Sequence, residues 1–128
     1  MPDKFTVEII SPDQTILKQE TSEVVIPSFE GQMGILNNHI PLITFLRPGI
    51  ITIKAEGEKR YYVEEGTVEF SNNNLLILTS TSRDLVNLDK SKIDELLQKA
   101  EENLNTQSTD KERYIASYKL ETLKEISQ

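Results

Sequence analysis

Between residues 4 and 10, apolar Phe5, Val7 and Ile9 alternate with Thr6 and Glu8, the period-two pattern of a strand with one buried and one wet face. Ser11-Pro12-Asp13 interrupts the pattern, and short β-rich runs follow at 15–17 and at 23–26, the second stopping at Pro27. More such runs stand at 50–54, 60–64, 66–70, 75–79 and near 83–86. Turn signals recurring every ~8 to 12 residues between short strands specify a sandwich or barrel. Glu56-Gly57-Glu58 has hairpin-loop length, with Gly57 expected at positive φ. Asn72-Asn73-Asn74 is expected to play the same part, because asparagine tolerates the left-handed region.

The stretch from 26 to 53 holds three of the five prolines and three of the five glycines. Its apolar runs are too short for helices, so it reads as short strands joined by specified turns. Three turns are expected: Glu30-Gly31-Gln32-Met33-Gly34, Asn37-Asn38-His39, and Arg47-Pro48-Gly49. In the last, Pro48 and Gly49 suit the central positions of a type II turn. With this stretch included, roughly ten short strands are expected.

Near residue 88 the period changes. Ile93, Leu96, Leu97, Ala100 and Leu104 form a helical stripe, with Asp89 as the expected N-cap. Asn105-Thr106-Gln107-Ser108 has turn composition, and Thr109-Asp110-Lys111-Glu112 then has the spacing of a capping box. A second helix to about residue 126 would bury Ile115, Tyr118, Leu123 and Ile126. Two helices with so short a link lie antiparallel. The expected fold is therefore α+β: a β-sandwich domain over 1–87 and a C-terminal antiparallel two-helix hairpin over 88–128. The apolar stripes are narrow, so weak docking of the hairpin is expected.

A hydrophobic content of 37% over 128 residues suits one core confined to part of the chain. The absence of cysteine removes disulfides, zinc–thiolate sites and thiol nucleophiles. No apolar run approaches the ~20 residues of a membrane-spanning helix. The start Met-Pro-Asp-Lys-Phe-Thr lacks the pattern of a signal or transit peptide, so membrane association is expected only through a partner. The net charge of -7 divides into -5 over 1–88 (12 acids, 7 bases) and -2 over 89–128 (9 acids, 7 bases). Neither part is a basic arm, which argues against nucleic acid as a partner.

Candidate chemistry is sparse. His39 is the only histidine and lies in a polar turn without a Ser, Asp or second His at catalytic spacing. Gly31 and Gly34 are followed by no helix start and no Lys-Ser/Thr pair, so they are a turn rather than a phosphate loop. Glu101 and Glu102 point about 100° apart on a helix and read as a solvated face. No active site and no metal site emerge, and a hydrolase is disfavoured. An interaction protein is expected, and on these grounds a free-standing β-sandwich module for a peptide or small ligand is an alternative.

The run Phe-Glu-Gly-Gln-Met-Gly-Ile-Leu-Asn-Asn-His-Ile-Pro-Leu-Ile-Thr, followed by Leu-Arg-Pro-Gly-Ile-Ile, closely resembles the epsilon-subunit signature of the rotary F-type ATP synthase, Glu-Gly-x-x-Gly-Ile-x-x-x-His-x-Pro. The resemblance extends over essentially the whole chain. It implies a non-catalytic central-stalk rotor subunit that couples ring rotation to ATP synthesis, with the gamma subunit and the membrane c-ring as partners of the head. It places Glu30, Gly31 and Gln32 at the ring-contacting loop and His39 near the stalk. Many members of the family carry an acid where Gln32 stands. It also implies a hairpin that reaches the catalytic alpha/beta head and brakes hydrolysis, through bases that here are Lys111, Arg113, Lys119 and Lys124. These are offset by Asp110, Glu112, Glu121 and Glu125, so only a modest brake is expected. Some members bind ATP through Leu/Ile-Asp-x-x-Arg-Ala. Here Leu88 and Asp89 are kept, but Lys92 and Ile93 replace Arg and Ala, so ATP binding is expected to be weak or absent. The implied location is peripheral, on the cytoplasmic face of a bacterial inner membrane.

Overall fold

The computed structural model describes residues 4–107 and 109–127. Ser108, the last residue of the expected interhelical turn, lies outside them. Ten strands precede two helices: β1 (Phe5–Ile10), β2 (Thr15–Thr21), β3 (Glu23–Ser28), β4 (Gly31–Leu36), β5 (Leu42–Leu46), β6 (Gly49–Lys54), β7 (Glu58–Val63), β8 (Gly66–Ser71), β9 (Asn74–Leu78) and β10 (Arg83–Asp84). A 3-10 turn, Leu85–Asn87, leads to α1 (Lys90–Thr106) and α2 (Asp110–Ser127). The path β10-β7-β6-β3-β5-β8-β9-β1-β2, with β4 added to β3, curls into two layers of five strands. Between the layers, β3 and β5 share one registered pair, Ser28 with Leu46. Every pairing is antiparallel except β1 with β9.

Alternation determines the core. Phe5, Val7 and Ile9 turn inward beside Leu75 and Ile77 and meet Val24, Ile26, Ile35, Ile51 and Ile53 of the opposite layer. Each such side chain contributes ~1.5–3 kcal/mol on full burial, and the rings of Phe5 and Phe70 meet edge-on at 5.6 Å. Strand β7 departs from clean alternation, because Tyr61, Tyr62 and Val63 are all buried. Tyr61 and Val63 enter the sandwich core, while Tyr62 points the other way and is covered by Leu96, Ala100 and Leu123 of the helices. The hairpin is thus folded onto the outer face of the head.

Several turns differ from the sequence expectation. The expected five-residue turn at 30–34 is shorter: Phe29 and Glu30 form its apex, and Gly31 to Gly34 already belong to β4. Gly31, at φ 118, opens that strand opposite Ser28. Pro27 does not end β3, because β6 pairs only with Glu23, Val24 and Val25, so no second neighbour asks Pro27 for an N–H. Gly49 is not in the left-handed region, so the type II turn is corrected; its need is space. An added Cβ there would sit 2.5 Å from Cβ and 2.8 Å from Cγ of Pro27. Gly57 likewise does not take positive φ. Asn72 and Asn73 do, at 51° and 54°, in the two-residue turn favoured between twisted strands.

At the helix starts, the Asp89 carboxylate accepts the Lys92 N–H at 2.8 Å as expected. Thr109 accepts the Glu112 N–H at 3.1 Å, but the Glu112 carboxylate takes the threonine's own hydroxyl proton at 2.6 Å instead of a backbone N–H. On α2 the fully covered positions are Ala116, Thr122 and Leu123, with Ile126 half-buried. The small residues at 116 and 122 allow close approach that an apolar-stripe reading overlooks.

Candidate interaction surfaces

The residues singled out in the sequence fall into separate places. Glu30 is exposed at the apex of the β3–β4 turn, and its carboxylate makes no hydrogen bond or ion pair among the described residues. The turn beneath it is fixed from inside: the buried Ser28 hydroxyl donates to the Gly31 carbonyl at 2.7 Å and accepts the Glu30 N–H at 3.2 Å. Gln32 is exposed on β4 opposite Pro27. A fixed turn with an unengaged carboxylate and an amide beside it suits polar contact with a partner loop.

His39 lies beyond the other end of β4, about 17 Å along a strand at 3.3 Å per residue. It is therefore not brought together with Glu30. Its Nδ1 lies 2.8 Å from the Ile40 carbonyl and its ring stands edge-on to Phe70 at 5.9 Å. Next to it, Asn38 at φ 64 donates its N–H to the Asn73 side chain at 2.6 Å, and the Asn73 amide returns a bond to Asn38 at 3.1 Å. That end of the head ties the β4–β5 link to the β8–β9 turn.

Leu88 is half-buried in the hairpin's apolar cluster. The Asp89 carboxylate caps α1, and Lys92 Nζ lies 3.8 Å from Glu95. Neither of the two cavities described below is lined by Leu88, Asp89 or Lys92. The four α2 bases also divide. Lys111 and Lys119 border a groove between α2 and the head, whereas Arg113 and Lys124, three turns apart, share a different exposed face. Lys119 pairs with Glu64 at 3.4 Å, and Glu64 in turn accepts the hydroxyl proton of buried Tyr62 at 2.9 Å. Burial first, and the Glu64 charge second, push the Tyr62 pKa well above the usual phenol range.

Sequence reasoning missed the outer face of β5, β8, β9 and β1. Phe45, Thr67, Leu78 and Ile10 are registered side by side there, and Ile43, Glu69, Leu76 and Glu8 form the next row. Ile43 is 73%, Phe45 58% and Leu78 45% exposed. The first row runs into the groove, a volume of about 1280 Å³ also bordered by Phe29, Ile115 and Lys119. A smaller cleft of about 300 Å³ lies between Glu64 and Arg83. The available signal was β5 itself, Leu-Ile-Thr-Phe-Leu, apolar at four of five positions and so unable to hide both faces.

The description "ATP synthase, Delta/Epsilon chain, beta-sandwich domain" fits residues 4–83. An ATP synthase epsilon chain of Pelagibacter ubique (strain HTCC1062) is 48% identical, covering 99% of this chain and 100% of the relative. The chain belongs to the ATP synthase epsilon-chain family. Another epsilon chain, from Parvibaculum lavamentivorans (strain DS-1 / DSM 13023 / NCIMB 13966), is 33% identical over 98% of this chain and 97% of its own length. In fold, the epsilon-family chain is similar to a chain in the Euglena gracilis mitochondrial ATP synthase structure of OSCP, F1 and c-ring in rotational state 1, with a TM-score of 0.80. That likeness has 23% identity and covers 100% of this chain and 84% of the other. Family membership sets the free-standing module aside: this is an ATP synthase subunit. No helix among the described residues is long and apolar enough to cross a membrane.

Proposed function

We propose that the chain is a non-catalytic rotor subunit, with its head gripping the gamma subunit through the β5–β8–β9–β1 face and the Glu30-Gly31-Gln32 turn meeting the membrane c-ring. The observation that carries this is the row of exposed Phe45, Thr67 and Leu78 running on to half-buried Ile10, with exposed Ile43 beside it. An apolar patch of that kind, rimmed by Glu8 and Glu69, marks a protein interface. The role asks for stiffness, because torque is transmitted only through contacts that resist shear, and ten short strands with tight turns supply it. On this reading the subunit sits peripherally on the cytoplasmic face of the membrane, held by the complex.

Co-expression with gamma and pull-down tests the reading. The parent chain should retain gamma, and Phe45→Glu should lose it while its unfolding midpoint stays within error, since Phe45 lies outside the core. Retention of gamma by F45E removes this face from the interface, and failure of the parent chain to bind gamma removes the reading.

The hairpin is proposed to reach the alpha/beta head and act as a modest brake on hydrolysis, since its bases are split between two faces and neutralised by neighbouring acids. Deleting 89–128 in the assembled enzyme should raise hydrolysis only modestly; many-fold release contradicts this. ATP binding is proposed to be weak or absent, because Asp89 already caps α1 and Lys92 lacks the bidentate fork of arginine. Isothermal titration giving a low-micromolar dissociation constant would overturn that.

A further inference from the structure

α2 meets the head through two contacts joined by a third within the helix. The Arg47 guanidinium carbon lies 4.0 Å from the centre of the Tyr118 ring. Tyr118 is met edge-on at 4.8 Å by Tyr114, one turn earlier, and Tyr114 stacks on Phe29 at 6.0 Å with 19° between the rings. Beside them, Lys119 reaches Glu64. The hairpin also grips the head through the small cluster around Tyr62 and where α2 runs beside β6, while α1 and α2 pack chiefly on each other.

Two features make this chain of rings more than a docking contact. Among the described residues Arg47 is held by little else: Nη1 donates to the Pro48 carbonyl at 3.2 Å, and buried Nε has no hydrogen-bond partner. Tyr118 is thus its main compensation for lost water. Phe29, at the far end, is the other apex residue of the turn that carries Glu30, and its N–H is bonded to the Phe45 carbonyl at 3.2 Å. The aromatic chain therefore runs from the β5–β6 connection, across α2, to the exposed turn.

We propose that Phe29, Tyr114, Tyr118 and Arg47 form a latch that makes docking of the hairpin and the conformation of the Glu30 turn two ends of one equilibrium. With the hairpin docked, Tyr114 holds the Phe29 side of the turn. A partner loop that draws Phe29 away removes one anchor of α2, and release of α2 frees the turn by the same factor, because coupling free energies are reciprocal. That the turn faces the ring rests on the proposed function; the latch itself does not.

Amide hydrogen exchange on the full chain, with no partner present, tests the latch separately from the gamma pull-down. Phe29→Leu and Arg47→Met should each speed exchange along α2 by roughly threefold to thirtyfold, the range expected for losing one partly buried cation–π or ring contact. Tyr118→Phe keeps the ring face and should leave α2 unchanged. Tyr114→Leu breaks the same stack from the α2 side, with the sequence of the head unchanged, and should speed exchange at residues 29–31. In all four, exchange in β1, β8 and β9 should match the parent. Parental α2 rates in F29L and R47M overturn the latch, as does Y118F opening α2 as far as R47M. Parental exchange at 29–31 in Y114L overturns the coupling.

Discussion

Replacing Gly49 by alanine adds one methyl where the structure has no room. The new Cβ would lie 2.5 Å and 2.8 Å from two carbons of the Pro27 ring, against ~3.5–4.0 Å for an ordinary carbon–carbon contact, so about 1 Å of separation must be found. Neither neighbour yields easily. Pro27 is buried in β3 with its φ fixed by the ring, its carbonyl holds the Arg47 N–H at 3.0 Å, and Gly49 is registered with Val63. Overpacking of a well-filled site costs ~1–3 kcal/mol. Stiffening of the unfolded chain on Gly→Ala returns ~0.4–1 kcal/mol, leaving a net loss of about 1–2 kcal/mol. In urea, with a slope of ~1–3 kcal/mol/M, the midpoint should fall by roughly 0.3–2 M at unchanged slope. Tyrosine fluorescence or circular dichroism reads this, there being no tryptophan. Gly57→Ala is the control: nothing lies within 4 Å of its added Cβ and its φ is not positive, so its midpoint should hold or rise. A midpoint for G49A equal to that of G57A would refute the claim that Gly49 is present for close approach to Pro27.

Ser28→Ala should cost ~1–3 kcal/mol in urea unfolding and speed exchange of the Glu30 amide, because it removes a buried hydroxyl bonded both to Gly31 and to Glu30; parental stability would mean those bonds are replaced without loss. Tyr62 and Tyr61 both have pKa values raised by burial. The unfolded phenols release protons near pH 10 while the folded ones retain them, so stability is flat below about pH 10 and falls as pH rises above it. Tyr62→Phe should flatten that fall, as read from urea midpoints at pH 9, 10 and 11, and an unchanged slope would refute it. Asp89→Ala should cost ~1 kcal/mol by removing the cap of α1, seen as faster exchange at Lys92 and Ile93; no change there would show the cap to be dispensable.

Several geometries set by a single side chain were legible in the sequence, although Gly57, with nothing within 4 Å of an added Cβ, does not take the positive φ expected of it. The alternation of Phe5, Val7 and Ile9, the asparagine turn before β9 and the Asp89 cap all stand as read. The reading failed where a tertiary neighbour decides. Gly49 looks like a turn glycine but is a spacer under Pro27, a residue more than 20 positions away. Pro27 looks like a strand end but lies where β6 has already left β3. The exposed row across β5, β8, β9 and β1 was invisible because its members come from four strands whose registers no local pattern fixes. For the same reason Tyr62 read as an ordinary strand residue, although it is the floor on which the hairpin rests.

The pairing of β1 with β9 bears on how the molecule is made. Thr6 stands opposite Asn74, 68 positions later in the chain, so β1 leaves the ribosome long before its parallel neighbour exists. Until then Phe5, Val7 and Ile9 have only the β2 hairpin to shield them. Loops of that length close slowly and leave sticky surface uncovered meanwhile. The nascent head should therefore acquire protease resistance late, once residue 78 has cleared the exit tunnel, and in a single step rather than strand by strand.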